Sequence, residues 1–162
     1  MTLPNNIYDP VDVDQDYFLD HDIEREEFYT KALTLPGNIL GILFNTETST
    51  KMRGVSELFQ LNPRQSEELS RLIRKILVAE VYLGNIVSEI TSRLTIGPDI
   101  AKEIASRLIT ELFAPALEEI KKMHMEKFGN TPLPKPESSF AKATEDKANI
   151  NPNNVLDLRK GN

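Results

Sequence analysis

Cysteine and tryptophan are both absent from the 162 residues, and aromatic residues make up only 7% of them. Without cysteine the chain can form no disulfide, thiol nucleophile or thiolate zinc site, which agrees with a reducing compartment. The low aromatic content favours a small helical core of leucine and isoleucine over an aromatic-rich β-sandwich. The length suits one domain of ordinary size with tails.

Long hydrophobic runs are also absent. The longest apolar window, residues 37–44, is far shorter than the roughly 20 residues that span a bilayer. The first residues, MTLPNNIYDP, lack the basic start and the apolar stretch of a secretory signal. We therefore expect a cytoplasmic protein without a membrane segment.

Most of the chain has no excess charge of either sign. The net charge of −6 comes from residues 1–35, which hold nine acids and two bases, whereas residues 36–128 hold twelve of each. Residues 129–162 hold four acids and five bases. The middle of the chain therefore has no overall field that would attract nucleic acid.

What the chain does contain is helical periodicity in residues 36–128. The clearest helix start is LNPRQSEEL. There Asn62 can cap the helix, Pro63 takes the first helical position and Gln65 is placed to complete a capping box. Pro115 should interrupt the last helix, because its ring removes one hydrogen bond and crowds the preceding turn.

A second copy of this pattern follows 35 residues later, since residues 55–79 align with residues 90–114 and Pro63 coincides with Pro98. The matching apolar positions are Leu69, Ile73 and Leu77 in the first copy and Ile104, Leu108 and Leu112 in the second. We interpret this as an internal duplication of a unit made of a short helix, a tight turn and a longer helix. Two copies predict a pseudo-symmetric bundle, because extended repeat arrays need at least three units.

Together these patterns predict an all-α fold, a small helical bundle built on a duplicated helix-turn-helix-like unit with disordered termini. Residues 1–35 are expected to be an acidic leader, extended or partly helical, because its apolar residues are too sparse to bury. The helical domain should cover residues 36–128. Residues 129–162 are predicted to be a tail, proline-rich at TPLPKPESS and then polar and disordered.

Three stretches resemble uncharacterised small two-repeat helical proteins predicted from candidate-phylum bacterial genomes. They are ELFQLNPRQSEELSRLI, VYLG and IGPDIAKEIASRLITELFAPALEEI, about a third of the chain. The stretch SSFAKATEDKA is similar to a peptide that recurs near the ends of otherwise unrelated proteins from such genomes. That likeness implies a segment with no dedicated role. The resemblance as a whole implies a helical fold and a cytoplasmic location, and it supplies no active site.

The acidic run DVDQDYFLDHDIE raises the question of a calcium loop. The aspartates that match ligand positions of such a loop are Asp12, Asp14, Asp16 and Asp20. However, Tyr17 stands where the loop needs glycine, and Ile23 stands where it needs a bidentate glutamate. The spacing therefore favours a solubilising leader, with an acidic segment that steers a basic partner as the alternative.

No catalytic constellation is evident in the sequence. Each of the two histidines, His21 and His124, has too few neighbouring ligands for a closed metal site, which needs about four. We expect His124 to be a packed or half-exposed side chain. The serines have no glycine-flanked elbow, and no phosphate-binding loop is present. We therefore predict no enzyme activity and no catalytic, cofactor-binding or metal residues.

The function predicted from these patterns is a non-enzymatic protein-interaction or scaffold module, which binds a protein partner or associates with itself. Leu117, Ile120 and Met123 form an apolar stripe along the last helix. That stripe exceeds what we expect so small a core to cover, and it is the surface predicted for self-association.

The alternative is a helix-turn-helix-like DNA-associated regulator, because the second helix of such a unit can enter a major groove. Residues 63–80 would form that helix, with Arg71, Arg74 and Lys75 as a small basic patch. The near-neutral charge of this helix argues against nucleic acid as a partner, since phosphate neutralisation supplies most non-specific affinity.

Overall fold

The computed structural model describes residues 5–129, which contain helices and turns and no strand. The α-helices are α1 (Gln15–Asp20), α2 (Asp22–Leu33), α3 (Gly37–Phe44), α4 (Thr46–Leu58), α5 (Pro63–Leu77), α6 (Ile86–Leu94), α7 (Pro98–Arg107) and α8 (Leu117–Phe128). This confirms the predicted all-α helical fold. None of these helices is both long and apolar enough to cross a membrane. The predicted tail lies outside the described residues from position 130 onward.

Helix α5 lies at the centre of the fold. Its start is the capping box expected from the sequence. The Asn62 side chain accepts a hydrogen bond from the Gln65 backbone N–H, and the Gln65 side chain accepts one from the Asn62 backbone N–H, both at 2.9 Å. These bonds satisfy backbone donors that a helix start otherwise leaves unpaired. The apolar side chains that α5 buries completely are Leu69, Leu72, Ile73, Ile76 and Leu77.

The aliphatic side chains expected to form the core are all buried. Leu69, Ile73 and Leu77 are 0% exposed, and their counterparts Ile104, Leu108 and Leu112 are at most 3% exposed. They belong to one hydrophobic cluster that includes residues from α1 to α8. The mutual burial predicted for the two stretches is therefore present.

The connections within the pairs α4–α5 and α6–α7 turn in the same way. Gln60 and Thr95, at equivalent positions, both adopt the left-handed conformation, with φ of 53° and 54°. The backbone N–H of the next residue donates to the carbonyl of Ser56 in the first turn (2.8 Å) and of Thr91 in the second (3.3 Å). These similarities agree with an internal repeat. The duplication itself stays a prediction.

The long C-terminal helical region changes its winding at Pro115, where the sequence predicts an interruption. A π-helical segment, Leu108–Phe113, follows α7, and a 3₁₀ turn, Ala114–Ala116, leads into α8. Proline has no N–H and cannot bond the carbonyl four residues earlier, so the regular α-helical hydrogen-bond ladder is interrupted at this position. Helix α8 therefore starts as a separate element at Leu117.

The N-terminal region is helical, which agrees with the partly helical form of the expected leader, but its apolar side chains are not too sparse to bury. A 3₁₀ turn forms at Asp12–Asp14, and α1 and α2 follow it directly. Phe18 and Phe28 belong to the main core, and their rings stack at a centroid distance of 5.4 Å. Two aromatic rings bury enough surface to attach a segment that has few other apolar residues inside.

The apolar stripe of α8 also differs from the prediction. Ile120 is 0% exposed, and Leu117 and Met123 are partly buried against the core. The stripe is therefore covered by the rest of the fold, because α8 folds back onto α3 and the end of α5. It does not provide the surface that we expected for self-association.

Candidate functional site

The first carboxylates of the N-terminal region accept hydrogen bonds from nearby backbone N–H groups. One oxygen of Asp9 accepts hydrogen bonds from the N–H groups of Val11 and Asp12, each at 2.9 Å, and its other oxygen accepts one from the Ser49 hydroxyl at 3.0 Å. Asp12 accepts a hydrogen bond from the backbone N–H of Asn6 at 2.7 Å. These aspartates therefore shape the turn that precedes α1.

Asp14 joins this turn to the central helix. Its two carboxylate oxygens accept hydrogen bonds from Arg71 Nε at 2.7 Å and from Arg74 Nη2 at 2.5 Å. Burial raises the pKa of Asp14, but the hydrogen bonds and charges of the two arginines more than offset this and hold its pKa below the ordinary 3.8. Asp14 is therefore a charged structural anchor.

Arg74 is the buried half of this anchor. Its second terminal nitrogen donates to the carbonyl oxygen of Pro10 at 3.0 Å. Its guanidinium carbon lies 5.5 Å from the ring centroid of Phe18 and 5.9 Å from that of Phe28. These distances fall in the range of cation–π attraction. One side chain of α5 thus contacts the N-terminal turn, α1 and α2 together.

The four aspartates considered for a calcium loop do not converge. Asp14 accepts hydrogen bonds from two arginines, and Asp12 accepts one from a backbone N–H. Asp16 and Asp20 are exposed. Residues 5–129 contain no group of three or more histidine, aspartate or glutamate side chains placed to hold a metal ion. The acidic run therefore helps to attach the N-terminal turn to α5, a role that the spacing of its aspartates does not indicate.

The two histidines lie in different surroundings. The His21 ring stacks on Tyr17 at a centroid distance of 3.9 Å, and its Nδ1 lies 2.8 Å from the Tyr17 carbonyl oxygen. His124 is 1% exposed and makes one hydrogen bond at each ring nitrogen, to the backbone of Leu83 and of Ile76. The packed position expected for His124 is the one observed.

The basic patch of α5 is largely occupied by acidic partners. Arg71 bonds Glu68 at 2.7 Å in addition to Asp14, and Arg74 is 9% exposed. Of the patch, Lys75 has no ion-pair partner among residues 5–129, and it is partly buried. The DNA-binding alternative stays a prediction, and these ion pairs count against it because they leave little charge for phosphates.

Exposed large hydrophobic side chains are concentrated on α1 and α2. Nine occur in the described part of the chain: Tyr17, Leu19, Ile23, Tyr29, Leu33, Phe44, Leu58, Ile100 and Met125. The first five belong to α1 and α2, with exposures from 41% at Tyr29 to 73% at Leu33. Phe44 of α3 extends this surface, since its ring stacks on Tyr29 at a centroid distance of 6.3 Å.

The same two helices also carry acidic side chains without an ion-pair partner among the described residues. Among residues 5–129, Arg25 pairs with Asp22 at 2.6 Å, and Lys31 lies 3.7 Å from Glu80. The acidic side chains of α1 and α2 that make no ion pair within this part of the chain are Asp16, Asp20, Glu24, Glu26 and Glu27. The result is a surface that combines apolar side chains with free carboxylates.

A groove of about 700 Å³ runs between this surface and α5. Tyr17, Glu24, Glu27 and Lys31 line it from the side of α1 and α2, and Arg71, Arg74 and Lys75 line it from the side of α5. Glu24 and Glu27 are three residues apart on α2, so their carboxylates lie on the same face of that helix. The groove is open, charged side chains of both signs line it, and it includes the exposed ring of Tyr17.

No protein-family model, no curated protein and no solved structure matches this chain. The residues and contacts described above are therefore the basis for a functional proposal.

Proposed function

We propose that the protein is a non-enzymatic protein-interaction module, and that α1 and α2 form its binding surface for a basic, partly apolar segment of a partner protein. The observation that carries this proposal is the concentration of exposed hydrophobic side chains there. Five of the nine in the described part of the chain lie within residues 17–33. Several exposed apolar side chains on one pair of contacting helices are typical of interaction surfaces, whereas scattered single ones need no explanation.

The charge of the surface selects the kind of partner. Residues 15–33 carry six acids and two bases, and most of these acids have no cation to pair with among residues 5–129. A basic segment would gain complementary charge there, while two copies of the same acidic surface would repel each other. We therefore propose a different protein as the partner, and not a second copy of this chain bound through the same face.

The groove beside the surface adds a place for a long cationic side chain. Lysine or arginine from a partner would meet the free carboxylates of Glu24 and Glu27 and the half-exposed ring of Tyr17. A cation close to both a carboxylate and an aromatic face gains from each of them. Apolar side chains of the partner would pack on Ile23 and Leu33, outside the groove, and supply most of the contact area.

A direct test uses a fluorescent amphipathic peptide with leucines one helical turn apart and lysines elsewhere. A peptide with the same leucines and with glutamates in place of the lysines is its control. We expect the basic peptide to bind and the acidic one not to bind. Ile23→Ser or Leu33→Ser should each weaken binding about tenfold, because each removes an apolar contact of about 1.5 kcal/mol.

Ile100→Ser is the matched control, since Ile100 is also an exposed isoleucine but belongs to α7 and not to α1 or α2. It should leave binding unchanged, as should Glu103→Gln on the same helix, whereas Glu24→Gln combined with Glu27→Gln should weaken it. The proposal fails if neither peptide binds, if the acidic peptide binds as well, or if Ile100→Ser weakens binding as much as Ile23→Ser does.

A further inference from the structure

His124 links three elements through one buried ring. The ring projects from α8, and its Nδ1 accepts a hydrogen bond from the backbone N–H of Leu83 at 3.0 Å. Its Nε2 lies 2.8 Å from the carbonyl oxygen of Ile76, near the end of α5. Leu83 begins the 3₁₀ turn Leu83–Asn85 that precedes α6. The imidazole therefore ties α8 to α5 and to the connection between α5 and α6.

These two partners fix the protonation state of the ring. The N–H of Leu83 can only donate, so Nδ1 must carry no proton, and the Ile76 carbonyl can only accept, so Nε2 must carry one. The neutral Nε2–H form thus satisfies both nitrogens. A second proton on Nδ1 would point at the N–H of Leu83, break that bond and place a charge inside the protein.

The charged groups around His124 do not compensate for such a charge. Lys127, one turn further along α8, repels it, and Lys127 itself lies near Lys31 of α2 and Glu80 of the α5–α6 connection. The α5 side chains Arg74 and Lys75 line the groove on the side of α1 and α2. Helix α3 and the turn Ala114–Ala116 contain no ionisable side chain.

The aromatic and acidic neighbours complete this environment. Tyr82 and Phe128 lie 6.1 Å and 5.4 Å from the imidazole, measured between ring centroids. Glu119 of α8 accepts a hydrogen bond from the side chain of Asn38 on α3. Burial lowers the pKa of His124 most, the bond to Ile76 acts in the opposite direction, and Lys127 lowers it further, so that the pKa lies below 6.5.

Helix α8 depends on this histidine more than a longer or better buried helix would. Its buried residues are Ile120 and His124. The helix also begins just after the Pro115 interruption, where a 3₁₀ turn separates it from the π-helical segment. It can therefore move away from α5 without unwinding α7, because the regular hydrogen-bond ladder is already broken at that point.

We propose that His124 makes the attachment of α8 to the rest of the fold pH-sensitive, so that acidification releases α8 while the central helices stay folded. The attached state holds the ring neutral, whereas a detached, solvated ring has the ordinary pKa of 6.5. The attachment is therefore at full strength above that pH. As the pH falls below 6.5, the equilibrium constant for attachment of α8 decreases about tenfold for each pH unit. This decrease ends at the pKa that His124 has in the attached state.

Hydrogen–deuterium exchange of the full chain at pH 7.5 and pH 5.0, corrected for the intrinsic pH dependence of exchange, tests this proposal. We expect residues 117–128 to lose protection at the lower pH and residues 63–77 to keep it. His124→Gln should remove the difference, because an amide can accept from Leu83 and donate to Ile76 but does not titrate.

Unchanged protection of residues 117–128, equal loss throughout the chain, or the same loss in His124→Gln would each overturn the proposal. Should His124→Gln fail to fold, a proton NMR titration of the unmodified chain gives an independent answer. The ring of His124 should titrate below the ordinary histidine pKa of 6.5, and the amide signals of α8 should change with it. A titration of His124 at or above 6.5 contradicts the proposal.

Discussion

The central helices α5–α7 and the N-terminal helices α1 and α2 are held in the fold by different forces. The central helices bury aliphatic side chains completely, as Ile73 and Ile104 show. The N-terminal helices are attached through a carboxylate on two arginines and through two aromatic rings beside Arg74. They also leave five large hydrophobic side chains exposed.

This difference shows what each region can do. A region that buries its apolar side chains uses them for its own stability, so it has little left for a partner. A region attached by a few ion pairs and two aromatic rings keeps other apolar side chains exposed, and it can adjust when a partner binds. The proposed binding surface therefore lies where the attachment depends least on aliphatic burial.

The largest expected effect on stability comes from a substitution in the core of the central helices. Ile73→Ala should lower the free energy of unfolding by about 2–5 kcal/mol, because the side chain is fully buried and its removal leaves a cavity. Urea denaturation followed by circular dichroism measures this. Leu33→Ala, at a side chain that is 73% exposed, should change stability by no more than about 0.5 kcal/mol. Similar losses in both variants would remove the distinction between the two regions.

Arg74→Met should have the next largest effect, a loss of about 2–3 kcal/mol by the same measurement. The change leaves the Pro10 carbonyl without its donor and leaves Asp14 with Arg71 alone, and an incompletely paired, partly buried carboxylate is costly. Arg107→Met is the control, because Arg107 pairs with Glu111 at the surface, where such pairs contribute little. An equally small effect at Arg74 would mean that the anchor contributes little to holding the N-terminal helices.

Acid should weaken the same anchor. The pKa of Asp14 is held below 3.8 in the folded protein, so its stabilising effect is complete above 3.8 and is lost as the pH falls through the lower, folded value. Urea midpoints at pH 5 and at pH 2.5 should fall further in the unmodified chain than in Asp14→Asn. An identical fall in both would show that other carboxylates control acid unfolding.

The smallest effect concerns helix starts. Asn62→Ala should cost about 1 kcal/mol, because it removes the side chain that accepts from the Gln65 N–H at the start of α5. Asn85, which precedes α6 and makes no such bond, is the matched control and should tolerate alanine better. If both substitutions lower the free energy of unfolding equally, the capping box adds nothing to the general preference for asparagine before a helix.

Local patterns were enough to predict the central part of the fold. The periodic spacing of Leu69, Ile73 and Leu77, the capping box at Asn62 and the interruption at Pro115 are all features of neighbouring residues. Physical rules of helix spacing and capping act over a few positions, so they can be applied to a sequence directly.

The N-terminal region could not be predicted in the same way. Asp14 pairs with partners 57 and 60 positions later, and no local pattern indicates such pairs. The many acids of this region suggested a solvated leader, although three of them, Asp9, Asp12 and Asp14, have structural partners. The sequence does contain one signal for burial, because the aromatic side chains of Phe18 and Phe28 are unusual in a stretch that only has to stay in solution.

The π-helical segment Leu108–Phe113 takes up one residue more than regular α winding would. In a regular α-helix one extra residue would turn everything after it by about 100°. The wider turn absorbs the extra residue locally, so Ile120 and His124 still face the interior. The chain can therefore lose one residue at this place, and return to ordinary α winding, with the buried face of α8 unchanged.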